Sequence, residues 1–335
     1  MARQANNKLL QKAKKSKSDE FYTQLSDIES ELQHYENHFK DQVVYCNCDD
    51  PRISNFFKYF SSNFEKLGLK KVISACYKRQ EIDLFNTKKT ESGFYYEYEG
   101  KQTKEDNLSN DDIGIIHFKG DGDFRSKESI ELLKQADIVV TNPPFSLFRE
   151  YVAQLVKYDK KFLIIGNINA ITYKEIFKLI KENKTWLGVN LGRGVSGFIV
   201  PDHYELYGTE ARIDNCGNRI VSPNNCLWLT NLETPIRNKD IPLSKVYYGN
   251  ENEYPNYDNY NGINVNKTKD IPKDYEGFMG VPITFLHKFN PNQFEIIKFR
   301  KGNDEKDLSI NGKCPYFRIL IKNKRLQQSQ LIETK

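Results

Sequence analysis

The sequence predicts an α/β fold in which a mostly parallel sheet is covered by helices on both faces. Short apolar runs without polar alternation, such as residues 71–76 and 136–140, are typical of strands that are buried on both sides. Segments with apolar residues at helical spacing lie between these runs. Acidic or polar residues follow several of the runs directly, which is where ligands bind in such sheets.

The N-terminal half supplies the first part of this pattern. Its predicted elements are, in chain order, a helix within 18–39, a strand at 43–48, a strand at 71–76 and a polar, lysine-rich insertion at about 78–112. Asp50 and Pro51 are residue types preferred at the cap and at the first position of a helix, so a helix is predicted to begin there. Within the insertion, residues 94–98 are aromatic and resemble a strand.

The remaining elements continue the alternation. They are a strand at 114–118, a helix at 129–135, a strand at 136–140, a helix at 147–157, a strand at 162–165, a helix at 172–182 and strands at 186–189 and 226–229. Residues 233–335 lack sustained periodicity and are rich in Tyr, Asn, Gly and Pro, which predicts a second region of loops and short strands. The chain thus divides into a basic arm at 1–17, an α/β domain at 18–232 and this second region.

Composition excludes several classes of protein. No apolar run reaches the roughly 20 residues of a membrane span, and the N-terminus lacks the apolar core of a signal peptide. The six cysteines form no pair of Cys-X-X-Cys elements, so we predict no metal site and expect a reducing, cytoplasmic location. The arm at 1–17 has six basic residues and no acid, and it is either a solvated tail or a segment that contacts phosphates.

The clearest chemical motif is Asn142-Pro143-Pro144-Phe145, which follows the apolar run 136–140. The prolines fix φ and favour an extended backbone before them, so the Asn142 side-chain oxygen and the Pro143 carbonyl would be held in place in advance. Two such acceptors, aimed at the N–H bonds of a conjugated amino group, would direct its lone pair at an incoming methyl group. The ring of Phe145 offers a flat face on which a base that is flipped out of a nucleic-acid duplex could stack. The plainer alternative is a rigid strand-to-helix connector.

The strand and this motif resemble the catalytic motif of amino-methyltransferases, and the form with Asn is similar to that of the adenine-N6 DNA enzymes. In those enzymes the motifs that bind S-adenosylmethionine lie upstream in a set order, and three segments here match them. The resemblance implies the cofactor-binding residues Phe21, Tyr22, Thr23, Asn47, Asp49, Asp50, Asp123 and Phe124. It also implies a pocket for the target base, with Phe145 as one wall and Phe198 as a candidate for the second.

Two departures from that pattern concern the cofactor site. The segment 49–55 contains no glycine, although the first cofactor loop of the general family is glycine-rich. No acid directly follows the strand at 71–76, where the family places the residue that holds the ribose hydroxyls. Glu81 and Asp83 are the candidates to replace it.

Five blocks spread over nearly the whole chain are similar to the EcoRI-type modification methyltransferases. They lie at 16–23, 45–51, 142–148, 192–198 and 279–282. The resemblance implies a Rossmann-like S-adenosylmethionine-dependent methyltransferase fold, with a mostly parallel seven-stranded sheet and a C-terminal target-recognition region at 233–335.

The same resemblance implies a function. The expected enzyme is a monomer that methylates N6 of the second adenine of GAATTC in double-stranded DNA and so protects that DNA in a restriction-modification system. Two alternatives stay open at this point. One is an amino-methyltransferase that acts on RNA or on a protein glutamine, and the other is a catalytically inactive, DNA-binding homologue.

Overall fold

A computed structural model of the 335-residue chain describes residues 22–77, 92–100, 114–190, 195–200, 206, 211–221 and 226–326. The chain forms two compact units, one of residues 1–171 and 188–232 and the other of residues 172–187 and 233–335. The units divide between residues 232 and 233, where the predicted regions also divide, but the second unit includes residues 172–187 as well. Within the described ranges, no helix is long and apolar enough to cross a membrane.

Described strands and helices alternate over much of residues 22–181, as expected for an α/β protein. The strands are β1 (Tyr22–Thr23), β2 (Val43–Cys46), β3 (Lys71–Cys76), β4 (Phe94–Tyr98), β5 (Ile115–His117), β6 (Ile138–Thr141), β7 (Lys161–Asn167), β8 (Trp186–Leu187), β9 (Phe198–Val200), β10 (Arg212–Ile213), β11 (Arg219–Val221), β12 (Cys226–Thr230), β13 (Gly262–Asn264), β14 (Phe278–Pro282), β15 (Phe294–Phe299) and β16 (Arg318–Asn323). The helices are α1 (Leu25–Leu32), α2 (Asn55–Ser62), α3 (Phe64–Leu67), α4 (Lys127–Gln135), α5 (Phe148–Lys157) and α6 (Lys174–Lys181).

The central sheet has eight strands in the order β5-β4-β3-β2-β6-β7-β12-β8. The pairs β2–β3, β2–β6 and β6–β7 are parallel, whereas β4 is antiparallel to β3 and β5, and β12 is antiparallel to β7. The prediction of a mostly parallel seven-stranded sheet is therefore wrong, although the α/β class is right. The difference arises mainly in the predicted insertion, where residues 94–98 return alongside β3 in the opposite direction instead of crossing over the sheet.

The order of the strands creates a switch point beside β2. The next strand, β3, lies on one side of β2, and the later strand β6 lies on the other side. In open α/β sheets, ligands bind outside the carboxyl ends of the strands at such a point. The pairing of Val44 with Ile138 and of Tyr45 with Val139 brings the carboxyl ends of β2 and β6 side by side.

The helix after β2 begins later than predicted. α2 starts at Asn55, and the Ser54 hydroxyl caps it by accepting hydrogen bonds from the backbone N–H groups of Phe56 at 3.1 Å and Phe57 at 3.3 Å. The predicted cap, Asp50, instead accepts hydrogen bonds from Arg52. The residues between β2 and α2 therefore form a turn that faces the carboxyl edge of the sheet.

Two smaller sheets complete the fold. In the first unit, β1, β9, β11 and β10 form an antiparallel sheet in that order. In the second unit, the order is β13-β14-β16-β15, with β13 and β14 parallel and the other pairs antiparallel. Apolar side chains of β14 and β16 are fully buried there, among them Met279, Val281, Ile319 and Ile321. The description of residues 233–335 as a target-recognition region stays a prediction.

Candidate active site

The Asn-Pro-Pro-Phe motif forms the loop that leaves β6. β6 ends at Thr141, and Pro144 is extended, with φ −61° and ψ 120°. A 3-10 helix at Phe145–Leu147 then leads into α5. Pro143 is buried, whereas Asn142 and Phe145 are half-buried and keep part of their surface exposed. The motif therefore lies at the switch point beside β2, and the side-chain oxygen of Asn142 is itself buried there.

The small antiparallel sheet brings two other predicted segments to this loop. β1 pairs with β9 so that Thr23 lies opposite Phe198. The Phe198 ring meets the Phe145 ring edge to face, with centroids 6.2 Å apart and planes at 71°. Phe198 has no exposed surface. The residues predicted as the two walls of the base pocket are thus in contact, and of the two only Phe145 keeps part of its surface exposed.

Thr23 also contacts the first residue of α2. Its backbone carbonyl accepts a hydrogen bond from the Asn55 side-chain amide at 2.8 Å. The Thr23 side chain is buried, and its hydroxyl has no hydrogen-bond partner among the described residues. Buried hydroxyl groups are normally satisfied, so this position fits the binding of a polar ligand group.

The side chain of Asp49 links the start of α2 to the end of β6. Its Oδ1 accepts a hydrogen bond from the Ser54 hydroxyl at 2.9 Å, and its Oδ2 accepts one from the Thr141 hydroxyl. The backbone of Asp49 is bonded to β3, through Ser74 and Ala75. Burial raises the pKa of the Asp49 carboxyl to about 6. The carboxyl end of β2 is therefore tied to β3, to β6 and to the start of α2.

Asn47 and Phe124 are brought close through a residue that the sequence analysis did not single out. The Asn47 side-chain oxygen accepts a hydrogen bond from the hydroxyl of Tyr151, on α5. The Tyr151 ring packs on Phe124 at a centroid distance of 5.1 Å. Burial raises the pKa of Tyr151, so its hydroxyl stays protonated and acts as the donor. Two of the predicted cofactor segments are thus held together by one tyrosine.

The other two predicted carboxylates share one geometry. Asp50 and Asp123 each accept hydrogen bonds from the backbone N–H and the guanidinium of the arginine two residues later, Arg52 and Arg125 respectively, at 2.7–3.0 Å. Burial alone would raise the pKa of Asp123, but the hydrogen bonds from Arg125 hold it below its ordinary value. These two-point contacts fix the loops that follow β2 and β5.

Sequence reasoning missed Thr141 and Tyr151, along with two buried carboxylates of α1, Asp27 and Glu31. Thr141 ends an apolar strand and Tyr151 lies on an amphipathic helix, so neither stands out by pattern. The two acids of α1 could not be recognised from the sequence, because the backbone N–H groups that they bind lie more than 150 residues away. Strand order would have been the one usable signal for Thr141, since β2 and β6 are neighbours.

Several predicted residues lie outside the described part of the chain. They are the arm at 1–17, Phe21, Glu81, Asp83, most of the insertion at 78–112 and residues 192–194 of the glycine-rich block. Within the described part, no group of three or more His, Cys, Asp or Glu side chains is arranged to hold a metal ion.

Comparison with known proteins places the chain in a family. The family described as "Adenine-specific methyltransferase EcoRI" matches residues 9–324. The Type II methyltransferase M.EcoRI of Escherichia coli is 73% identical over 328 residues, which cover 98% of this chain and 100% of that protein. The Type II methyltransferases M.MgeORF184P of Mycoplasma genitalium and M.MpnI of Mycoplasma pneumoniae are each 36% identical, over 94% of this chain and 98% of their own length.

No solved structure matches the chain significantly. The family match and the relatives agree with each other over almost the full length. The chain therefore belongs to the EcoRI family of adenine-specific methyltransferases and is a site-specific adenine DNA methyltransferase.

Proposed function

We propose that the enzyme transfers a methyl group from S-adenosylmethionine to N6 of adenine in double-stranded DNA, at the second adenine of GAATTC. The observation that carries the proposal is the Asn142–Phe145 loop at the carboxyl end of β6, beside the switch point of the sheet. The resemblance to the EcoRI-type modification methyltransferases implies the recognition site and a role in a restriction-modification system. Both fit the 73% identity to M.EcoRI.

The chemical task is to make a poor nucleophile react. The lone pair of the adenine amino nitrogen is delocalised into the ring, so the nitrogen must become pyramidal before it can attack. In the proposed mechanism, the Asn142 side-chain oxygen and the Pro143 carbonyl accept hydrogen bonds from the two N–H groups and favour that geometry. Because the prolines hold the backbone, the two acceptors do not need to reorganise during the reaction.

Phe145 and Phe198 have unequal parts in holding the base. Phe145 is half-buried and can present a ring face on which a flipped adenine stacks. Phe198 is fully buried and meets the Phe145 ring edge to face. We assign the stacking contact to Phe145 and the support of its ring to Phe198.

The cofactor is proposed to bind beside β2. When bound, S-adenosylmethionine supplies an electrophilic methyl group on its sulfonium. The buried Thr23 hydroxyl, which has no partner among the described residues, is the observation that fits a polar ligand at this place. Thr23 and Tyr22 are the residues proposed to line its methionine end. Asn47 belongs to the segment proposed as the first cofactor loop, and Phe124 is proposed to lie near the adenine.

The acids of these loops complete the proposed site. Asp49, Asp50 and Asp123 are each hydrogen-bonded within the protein, so they shape the loops around the cofactor. Phe21, which the resemblance groups with Tyr22 and Thr23 in one cofactor-binding element, is also assigned to cofactor binding. Residues 233–335 are proposed to recognise the DNA sequence, and the enzyme is proposed to act as a monomer.

The test uses the purified enzyme with radiolabelled S-adenosylmethionine and three short duplexes. We expect label in a duplex with GAATTC, and none in a duplex with a scrambled site or in one with N6-methyladenine at the second adenine of both strands. Transfer to the scrambled duplex at an equal rate would overturn the sequence assignment. Transfer to the duplex methylated at the second adenine would overturn the choice of base.

The role of Asn142 is tested by Asn142→Ala. We expect the loss of turnover, by at least about 100-fold, with DNA affinity retained in a gel-shift titration. Asn37→Ala is the matched control, since Asn37 is an exposed asparagine on a short 3-10 helix of the same unit. Wild-type turnover in Asn142→Ala would overturn the proposed mechanism.

A further inference from the structure

We infer that Asp49 and Thr141 are positioning residues that hold the catalytic loop through the hydrogen bond between their side chains. The inference rests on the proposed role of Asn142, because Thr141 is the residue directly before it. Neither residue needs to touch the adenine in this role. Asp49 was predicted from the resemblance to bind the cofactor, so the inference gives it a different, separable task.

The first support is the position of the pair in the sheet. Asp49 follows β2 and Thr141 ends β6, and these two strands are parallel neighbours on either side of the switch point. The contact between them therefore links the carboxyl ends of the two strands at the switch point. The contact holds the residue from which the Asn142 loop starts.

The second support is that both the backbone and the side chain of Asp49 make hydrogen bonds to neighbouring elements. Its backbone N–H donates to the Ala75 carbonyl at 2.9 Å, and its backbone carbonyl accepts from the Ser74 hydroxyl at 2.7 Å. One carboxylate oxygen accepts from Ser54 and the other from Thr141. The backbone of Asp49 is thus held by β3 and its carboxylate by Ser54 at the N-terminus of α2, so the carboxylate is a fixed point for Thr141.

The third support is the burial of the pair. Asp49 is 7% exposed and Thr141 is fully buried. Within the described residues, Asp49 takes part in no ion pair, so hydrogen-bond donors alone compensate its carboxylate. A buried carboxylate that is held in this way is strongly bound to each donor, because water does not compete and the hydrogen bonds are charge-assisted. The Thr141 hydroxyl is thereby restrained to one rotamer, and the backbone leading into Asn142 is restrained with it.

The experiment changes Thr141 and leaves Asp49 intact. Thr141→Val has nearly the same shape but no hydroxyl, and Thr141→Ser restores the hydroxyl. We expect Thr141→Val to lower kcat about 10- to 100-fold, the effect of one charge-assisted hydrogen bond. The affinity for S-adenosylmethionine, measured by calorimetry, and the KM for DNA should stay within about twofold of wild type. Thr141→Ser should recover most of the lost kcat.

The matched control is Thr230→Val. Thr230 is also a fully buried threonine at the end of a strand of the central sheet, but its hydroxyl bonds to the Phe162 carbonyl and to the Leu232 N–H. We expect this variant to lose stability while kcat stays close to wild type. Should Thr141→Val fail to fold, Thr141→Cys takes its place with the same expected result, because a thiol is a weak donor of similar size.

The outcomes separate the inference from the proposed function. An unchanged kcat in Thr141→Val overturns the inference. So does a fall in cofactor affinity that accounts for the loss of activity, because Asp49 and Thr141 would then belong to the cofactor site. If Asn142→Ala is inactive while Thr141→Val is fully active, the inference alone fails. If Asn142→Ala keeps wild-type turnover, the proposed role of Asn142 fails, and the inference fails with it.

Discussion

The rings of Phe145 and Phe198 meet edge to face, with centroids 6.2 Å apart, although Phe145 lies in the 3-10 helix after β6 and Phe198 in the small antiparallel sheet. Phe145 leads from the central sheet into α5, and Phe198 begins β9 of the small antiparallel sheet. The edge of one ring against the face of another is a favourable geometry for aromatic pairs. The contact fixes the ring proposed to stack on the target base, and it makes the small sheet part of the proposed active site.

This relationship predicts different effects for two leucine variants. Phe145→Leu keeps most of the apolar volume but loses the flat face, so we expect kcat/KM to fall about tenfold or more, with stability within about 1.5 kcal/mol of wild type. Phe198→Leu should lower stability by about 1 kcal/mol or more, with a smaller fall in kcat/KM. Steady-state methylation and urea unfolding measure both quantities. A larger loss of activity in Phe198→Leu would contradict the assignment of stacking to Phe145.

Asp49 predicts a dependence of stability on pH. Its pKa is raised from 3.8 to about 6 in the folded protein, chiefly by burial. The folded state thus holds this proton more tightly than the unfolded state does. The resulting stabilisation is complete below the unfolded pKa and is lost as the pH rises through about 6.

The measurement compares wild type with Asp49→Asn, which cannot ionise at this position. The free energy of unfolding of wild type, relative to that of the variant, should fall by roughly 1 kcal/mol between pH 5 and pH 7. Urea titrations at several pH values give this difference. A constant difference over that range would show that Asp49 does not titrate near pH 6.

The predicted elements and the observed ones agree best where burial is uniform. The strand predicted at 71–76 coincides with β3, whose four central residues are all buried, as in a strand covered on both faces. The direction of a strand relative to its neighbours in the sheet could not be predicted in the same way. Whether residues 94–98 cross over the sheet or return beside β3 depends on pairing with distant residues.

The candidate site shows the same limit at the level of single residues. Asp50 and Ser54 are both good helix caps by type, and the choice between them depends on Arg52, which occupies the Asp50 carboxylate. Thr141 had no signal of its own, because its partner, Asp49, becomes a neighbour through the pairing of β2 with β6. The Asn142–Phe145 motif could be found from the sequence, whereas the residues that hold it in place could be identified only from the fold.

A buried carboxylate of α1 predicts a stability effect at a distance from the motif. Glu31 is fully buried and accepts hydrogen bonds from the backbone N–H groups of Val189 at 2.7 Å and Asn190 at 2.8 Å, and from the Tyr35 hydroxyl at 2.9 Å. Glu31→Gln would turn an amide N–H₂ towards one of these donors. We expect a loss of about 1–3 kcal/mol, the cost of leaving a buried donor unsatisfied.

Glu29→Gln is the control for that variant, since Glu29 is exposed on the same helix. Its stability should lie within about 0.5 kcal/mol of wild type. Urea unfolding of both variants at one pH gives the comparison. Equal stabilities for the two would show that the contacts from Glu31 to the segment at 189–190 do not stabilise the fold.

Gly197 predicts how the position of Phe198 can be disturbed without changing either aromatic ring. Gly197 has φ +147°, which disfavours other residues, and a Cβ there would lie 2.6 Å from the Ile220 side chain and 2.8 Å from the Val221 carbonyl oxygen. Val221 pairs with Phe198 in the small sheet. Gly197→Ala must therefore push β9 and β11 apart at the residue that supports Phe145.

Gly217→Ala separates the effect of this clash from that of backbone strain. Gly217 also has a positive φ, of +84°, but a Cβ there would have no neighbour within 4 Å. We expect Gly217→Ala to cost about 1 kcal/mol with unchanged kcat. Gly197→Ala should cost about 1–3 kcal/mol more, and its kcat/KM should fall because the Phe198 support is displaced. If both variants behave alike in urea unfolding and in methylation, the close packing of β9 on β11 does not hold the proposed base pocket in shape.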